Sequence, residues 1–311
     1  MTSPPLSAVL DVGTNNIQTL IASKNDGQIT VFKRFFDTAA LGRNMKSSHI
    51  TRAGFNRAKS ILRERIPFAG LFTSRIAVIG TSCSREAANI NVLSDWLSRR
   101  FQLAYHIISG ETEALWNALA NLTEFPELQQ MLLFDIGGGS TEFSLLQQGR
   151  IAGSLSLPLG IRRLQNSHPG SILNKRNEVR KMLHSLTGKF PGRPSLIGIG
   201  GTVTSLSALQ YGISDFLSDE VHKTRISLRE LDLLYRKISR LNRRQLAALL
   251  PVDPARSDIV LTGTMIVQEI MDYFKADSFL VSNRGLQFGF LHLPVEQQNR
   301  YFSSRGEDYE S

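Results

Sequence analysis

The run Leu132-Leu133-Phe134-Asp135-Ile136-Gly137-Gly138-Gly139-Ser140-Thr141-Glu142 decides how this chain is read. An apolar stretch ends in an acid, three glycines follow at once, then two hydroxyls, then a second apolar run from Phe143 to Leu146. Two strands joined by a tight glycine turn is the simplest reading. Without Cβ atoms, the turn lets backbone N–H groups face an anion and approach it closely. An acid at the strand end can hold Mg2+ directly or through water. One such turn does not by itself separate an anion site from a plain hairpin.

The pattern recurs. Asp11-Val12-Gly13-Thr14-Asn15-Asn16 follows the apolar Ala8, Val9 and Leu10 and precedes Ile17, Leu20 and Ile21. A third turn, Gly198-Ile199-Gly200-Gly201-Thr202-Val203-Thr204, follows Leu196-Ile197 and leads into an apolar run with a helical look. Two acid-bearing hairpins, one early and one in mid-chain, predict two related halves facing each other across a phosphate. No other internal repeat is visible.

The 311 residues, 41% hydrophobic and 20% charged, are enough for two domains with real cores. No apolar run is long enough to span a membrane, and the first residues lack the basic-then-apolar order of a signal peptide. Cys83 is the single cysteine, which excludes an internal disulfide and fits a reducing, cytoplasmic setting. A small buried side chain beside a strand end is the expected role of Cys83. The formal charge is +9, and basic residues gather at Arg162, Arg163, Lys175, Arg176, Arg180, Lys181, Lys189 and Arg193, then at Lys223, Arg225, Arg243 and Arg244. Such a surface attracts polyanions, although it equally describes solvated helix faces. No nucleic-acid motif accompanies it, so neither a nucleic-acid nor a membrane partner is expected.

Along the chain, residues 1–7 read as a disordered lead and Ser303 to Ser311 as a frayed polar tail. Residues 8–36 read as strands, residues 51–65 as an amphipathic helix, and Ile76 to Ile79 as a buried strand. Ser84-Arg85-Glu86-Ala87-Ala88-Asn89 opens a helical region, with Arg85 placed to reach an anion. Leu103 to Ile108 is the next strand. Ser109 then resembles an N-cap, and Glu111 and Glu113 suit the helix dipole, which explains those acids without chemistry. A carboxylate there could equally take a proton from attacking water. Ile151 to Leu157 adds a strand, and Pro158-Leu159-Gly160 turns into a basic helix. Residues 176–188 read as a helix, and residues 195–199 as the strand before the third turn. Ser227 with Glu230 has the spacing of a capping box, Asp258 to Phe274 reads as a buried helix, and Phe279 to Val281 as a short strand before a closing helix.

These segments, taken together, resemble the Ppx/GppA family of exopolyphosphatases and guanosine pentaphosphate phosphohydrolases. The likeness rests on Asp11 to Asn16, Gly80-Thr81-Ser82 with Arg85-Glu86-Ala87, and Ile108-Ser109-Gly110 with Glu113-Ala114. It continues through Asp135 to Glu142, Ser156 to Gly160, Gly198 to Thr204, and Val281-Ser282 with Arg284-Gly285-Leu286, in order from about residue 8 to about 295. Longer family members carry an added helical region of HD type, and this chain looks like the short, two-domain form.

The resemblance implies an α/β fold of the two-domain actin-like ATPase (ribonuclease H-like) kind with an interdomain cleft. The expected domains are residues 1–122 and 123–311, with the last helix able to pack back on the first. It implies Glu113 as the base that activates water, and Arg85 as a second catalytic residue, in the cleft near the phosphate chain. Asp135, Glu142 and Asp11 are the expected Mg2+ ligands. Asn16, Gly137, Gly138, Gly139, Ser140, Gly200, Gly201 and Thr202 are the expected phosphate-binding residues. The activity expected is Mg2+-dependent release of terminal phosphate from inorganic polyphosphate or guanosine pentaphosphate, with a homodimer possible on family grounds. The alternatives are a non-catalytic sensor of polyphosphate or of an alarmone such as guanosine tetraphosphate on the same fold, an ATP-dependent kinase, and a basic nucleic-acid module. Three positions depart from the family pattern and remove charge: Gln18 for a basic residue, Thr112 for an acid, and Gln287-Phe288 for an arginine–glutamate pair.

Overall fold

A computed structural model of the chain describes residues 4–302 except Phe216 and Val252; residues 1–3 of the lead and the tail Ser303 to Ser311 lie outside the described residues. Two units emerge, one of residues 1–116 with 286–311, the other of residues 117–285. Among the described residues no helix is long and apolar enough to cross a membrane.

The first unit is built on β1 (Ser7–Val12), β2 (Asn16–Asn25), β3 (Gln28–Thr38), α1 (Arg52–Gly70), β4 (Ile76–Gly80), α2 (Ser82–Glu86), α3 (Asn91–Phe101) and β5 (Tyr105–Ile107), and it takes the first turns of α4 (Gly110–Leu119). Its sheet runs β3-β2-β1-β4-β5. β1 pairs antiparallel with β2 and parallel with β4. Thr51 caps α1 by accepting the Gly54 N–H at 3.1 Å. The helix buries Phe55, Ala58, Leu62 and Ile66, at the three- and four-residue spacing of one face, against Leu10, Val12 and Ile17 of the sheet. Cys83 is buried in the same core.

The helical region expected from Ser84 onward is not continuous. α2 stops at Glu86, Ala87 is extended, and a new helix starts at Asn91. The cause is Asn89, whose side-chain amide bonds the backbone of Ile50 in both directions at 2.9 and 3.0 Å and pins the segment open.

The second unit contains β6 (Gln130–Ile136), β7 (Thr141–Gln147), β8 (Arg150–Leu157), α5 (Ile161–Ser167), α6 (Ile172–His184), β9 (Ser195–Ile199), α7 (Gly200–Tyr211), β10 (Arg225–Ser227), α8 (Leu228–Ser239), α9 (Arg243–Ala248), α10 (Val260–Tyr273) and β11 (Ser278–Ser282). The expected capping box is present: the Ser227 hydroxyl accepts the Glu230 N–H while the Glu230 carboxylate accepts the Ser227 N–H. α10 is buried over most of its length, as its composition predicts. The chain closes with α11 (Leu286–His292) and α12 (Val295–Phe302), both in the first unit.

The second sheet runs β10-β11-β9-β6-β7-β8. Read from the β8 edge, it repeats the first sheet with one strand added, so the duplication extends beyond the two hairpins visible in sequence. The match is residue by residue. Asp11 lies opposite Gln18 across the first hairpin and Asp135 opposite Glu142 across the second. Gly13 N–H donates to the Asn16 carbonyl and Gly137 N–H to the Ser140 carbonyl, each at 2.9 Å. The parallel neighbour of Asp11 is Ile79 and that of Asp135 is Ile199.

Packing behind the second hairpin explains why Gly160 follows Pro158-Leu159. The N–H groups of Ile161 and Arg162 donate to the Gly137 and Gly138 carbonyls at 3.1 and 2.7 Å. A Cβ on Gly160 would overlap the backbone of Gly138 and Gly139. Gly160→Ala is expected to cost about 1–3 kcal/mol, because backbone cannot yield as a side chain can. A lowered urea midpoint with an unchanged denaturant slope is the outcome to look for.

Candidate active site

Alternation along β6 sorts its side chains between two faces. Leu132, Phe134 and Ile136 enter the larger core, whereas Met131 and Leu133 enter a smaller apolar cluster with Ala118, Leu146 and Leu280. Asp135 falls on the second face, at the strand's end. Glu142, directly across from it, lies on the same face of β7. Side chains paired in this way have Cβ atoms about 4.5–5.5 Å apart. The site therefore opens as two carboxyl groups side by side at the edge of an apolar layer.

That layer acts on Asp135. Desolvation pushes its pKa up to about 6 against the ordinary 3.8, opposed only by the Asn117 amide, whose Nδ2 donates to Oδ2 at 3.0 Å. Glu142 is buried and accepts the Ser156 hydroxyl at 2.7 Å. The other Asp135 oxygen, Oδ1, lies against Gly200, where a Cβ would overlap it and where φ is +81°, a conformation that favours glycine. Gly200 also begins α7, and no side chain caps that terminus at Ile199. The carboxyl group thus lies beside a helix N-terminus that no side chain caps, and such termini favour anions.

The glycine turn between the two acids is oriented by its carbonyls. Those of Gly137 and Gly138 accept from the start of α5, and that of Gly139 accepts from Arg163 Nε at 2.8 Å. With the carbonyls tied back and the Gly137 amide bonded to the Ser140 carbonyl, the amides of the rest of the turn are the groups placed to meet a ligand. The Thr202 hydroxyl donates to the Ile136 carbonyl at 3.0 Å, so its side chain braces the end of β6.

In the first unit, Ser109 caps α4 as expected, accepting the Thr112 N–H at 3.0 Å, with the two hydroxyls also 3.0 Å apart. Thr112 thus completes the helix start where an acid was expected. Glu113 follows in the next position and is gripped by Arg85: Nη1 donates to Oε2 at 2.8 Å and to the Ile108 carbonyl at 2.9 Å. The two side chains are 12% and 22% exposed, so the pair reaches solvent without being bathed in it. The carboxylate is thus aimed by a guanidinium. Asn16 accepts at Oδ1 from both Asn15 and Thr38, at 3.0 and 3.1 Å, which turns its Nδ2 outward as a donor. The Gln18 amide reaches Asp11 Oδ2 at 3.5 Å. Gln287 and Phe288 are buried, and the Arg34 guanidinium lies 5.4 Å from the Phe288 ring centre.

Among the described residues, no three His, Cys, Asp or Glu side chains gather as a cation cluster. The pair Asp135 and Glu142 still suits Mg2+, which is bound through one or two carboxylates and completes its shell with water and substrate phosphate. Two hard oxygen donors, one of them desolvated and without a positive partner in its surroundings, fit such an ion.

Three arginines of the basic cluster read from the sequence are engaged by acids of the same unit. Arg162 is buried and grips Asp258 at 2.8 and 3.0 Å, while Arg176 and Arg180 both hold the buried Glu269. Sequence reasoning did not assign Asn117, Ser156 or Arg163 to the site, although Ser156 lay in a segment of the resemblance and Arg163 in the basic cluster. A polar Asn117 among the apolar residues of α4 was the available signal for the first.

Two units with the same strand order, each placing a glycine turn at the end of its first antiparallel pair, define the actin-like ATPase fold. Solved structures agree on that fold. An exopolyphosphatase from Cytophaga hutchinsonii matches with a TM-score of 0.81 at 22% identity, covering 92% of this chain and 96% of its own. The Aquifex aeolicus Ppx/GppA enzyme matches at 0.76 and 22%, covering 93% and 99%. The model of the Ppx/GppA phosphatase family matches residues 20–296, and the chain belongs to that family. A bifunctional 3-dehydroquinate synthase/phosphatase of Fusobacterium nucleatum is 28% identical over 315 residues, covering 94% of this chain but 47% of its own length. The chain therefore spans about half of that relative. Exopolyphosphatase 2 of Mycobacterium tuberculosis is 26% identical over 287 residues, covering 85% of this chain and 89% of its own.

The raised pKa of Asp135 carries a sign. A folded-state pKa above the unfolded one means that the folded chain holds the proton longer, so stability is lost as pH rises from the ordinary aspartate range through about 6. In chelator, Asp135→Asn is expected to be more stable than the parent by about 2–3 kcal/mol at pH 7.5. The gain should vanish near pH 4, where both side chains are neutral. Urea melts at the two pH values check this.

Proposed function

We propose that the chain is a Mg2+-dependent phosphohydrolase that releases the terminal phosphate of inorganic polyphosphate, with guanosine pentaphosphate the second substrate to try. The observation that carries this reading is the second hairpin: two adjacent carboxyl groups, a glycine turn with its carbonyls tied back, and the uncapped start of α7 against Asp135. The names of the Mycobacterium and Cytophaga relatives support the substrate class.

Asp135 and Glu142 would hold Mg2+, which when bound neutralises phosphate charge and favours departure of the leaving oxygen. Asp11, the third acid expected at the cation, belongs to the first unit and has Gln18 rather than a second acid as its strand partner, and no three acids gather among the described residues, so the ion is assigned to Asp135 and Glu142 alone. The amides of Gly138 to Ser140 and of Gly200 to Thr202, with the Asn16 amide, bind the phosphate oxygens, whereas the Gly137 amide, also expected there, is committed to the Ser140 carbonyl. Arg85 fixes the Glu113 carboxylate, which takes the proton of the attacking water as its oxygen bonds to the terminal phosphorus. The bridging P–O bond breaks, and phosphate and the shortened chain leave. Positioning and electrostatics supply most of such catalysis.

One observation favours the sensor alternative. Glu113 is engaged by Arg85 instead of standing as a lone base, and Gln18, Thr112 and Gln287-Phe288 carry no charge. Phosphate release from long polyphosphate and from guanosine pentaphosphate, with Mg2+ and with chelator, separates the two readings: a sensor binds and releases nothing. For the enzyme, Glu113→Gln should keep polyphosphate binding while turnover falls by about 10²–10⁴-fold. Hydrolysis at the parent rate by that variant would remove Glu113 from the role.

A further inference from the structure

Asn117 stands four residues after Glu113 on α4, one turn further along the same helical face. It is 2% exposed. Its Nδ2 donates to Asp135 Oδ2 at 3.0 Å. Its Oδ1 is buried with no hydrogen-bond partner among the described residues, beside the space that Gly285 leaves by lacking a side chain. The side-chain amide thus makes one polar contact, and that contact is the carboxyl group. Ala118, the next residue on the helix, and Met131 and Leu133, on the Asp135 face of β6, belong to an apolar cluster. Packing alone would favour a leucine at this position, which would leave no oxygen unsatisfied. A buried polar group kept at that disadvantage calls for a reason, and the Nδ2 donor is the only one the structure offers.

We propose that Asn117 is a positioning residue for the divalent-cation site, holding Oδ2 of Asp135 so that Oδ1, beside Gly200, is the oxygen presented to the cation. The inference rests on the reading of Asp135 and Glu142 as the cation's ligands. Outer groups that orient a metal-binding carboxylate act in this way, and their loss weakens metal affinity without removing a ligand. A donor on Oδ2 does two things at once. It stops the carboxyl group from rotating, and it offsets part of the desolvation imposed by the apolar layer. Asp135→Asn cannot stand in for either role, because it removes the ligand itself.

The test uses the full chain as the parent, Asn117→Leu, Asn117→Ser and Asp135→Asn, with Mn2+ binding followed by electron paramagnetic resonance. The Mg2+ dependence of phosphate release from polyphosphate is measured alongside. Both Asn117 variants are expected to bind Mn2+ about 10- to 100-fold more weakly than the parent. The Mg2+ concentration for half-maximal release should rise in step, while the rate at saturating Mg2+ stays within about threefold. A side chain that only filled space would not produce that split. Serine keeps the test alive if leucine prevents folding, which circular dichroism and a urea melt report. Should folded Asn117 variants bind Mn2+ within about twofold of the parent while Asp135→Asn loses it, the positioning role is overturned and the cation site stands. Should Asp135→Asn bind as tightly as the parent, the cation site falls and this inference falls with it.

Discussion

A carboxyl group at the end of a buried strand is costly to ionise, and the second unit is arranged around that cost. Asp135 sits half-buried where the apolar face of β6 runs out, and no basic side chain among the described residues offsets the desolvation of its carboxyl group. Burial of a charge without a counter-charge is among the larger penalties in a folded chain. Here one amide donor, one glycine that leaves room for Oδ1, and the positive end of one helix stand where a counter-ion would otherwise be needed. Each has a counterpart in the sequence: Asn117 on α4, Gly200 after β9, and the Gly200-Gly201-Thr202 run that opens α7.

The duplication shows what can vary around such a group. The two hairpins correspond in register, with the same i to i+3 bond closing each turn and an isoleucine as the parallel neighbour of each aspartate. They differ in chemistry. The cross-strand partner of Asp135 is Glu142, whereas that of Asp11 is Gln18. The second turn is all glycine, and the corresponding residues of the first are Thr14 and Asn15, both buried. The same scaffold therefore offers a two-carboxylate edge in one unit and a carboxylate–amide edge in the other. Net charge followed a similar logic: three arginines that read as basic surface are spent on the buried Glu269 and the half-buried Asp258, because a desolvated acid needs a paired cation.

Short-range features were legible in the amino-acid order. Strands, glycine turns, the Ser109 cap, the Ser227–Glu230 box and the buried α10 follow from periodicity and capping chemistry, which act over a few residues. The break after Glu86 was not legible, because it is made by Asn89 reaching the backbone of Ile50, 39 positions away. Nor was the strand order that extends the repeat past the hairpins, since parallel pairing joins segments far apart in sequence.

By itself, then, the order of residues determined the kind of fold and the stretches that carry chemistry, since a glycine turn after a buried acid is a local pattern with few physical uses. Tertiary structure alone decided the partners: Arg85 for Glu113, Ser156 for Glu142, and Asn117 for Asp135. The physical reason is that hydrogen bonds and ion pairs depend on distances of a few ångströms between side chains that are 14 to 28 residues apart along the chain. No periodicity records such distances.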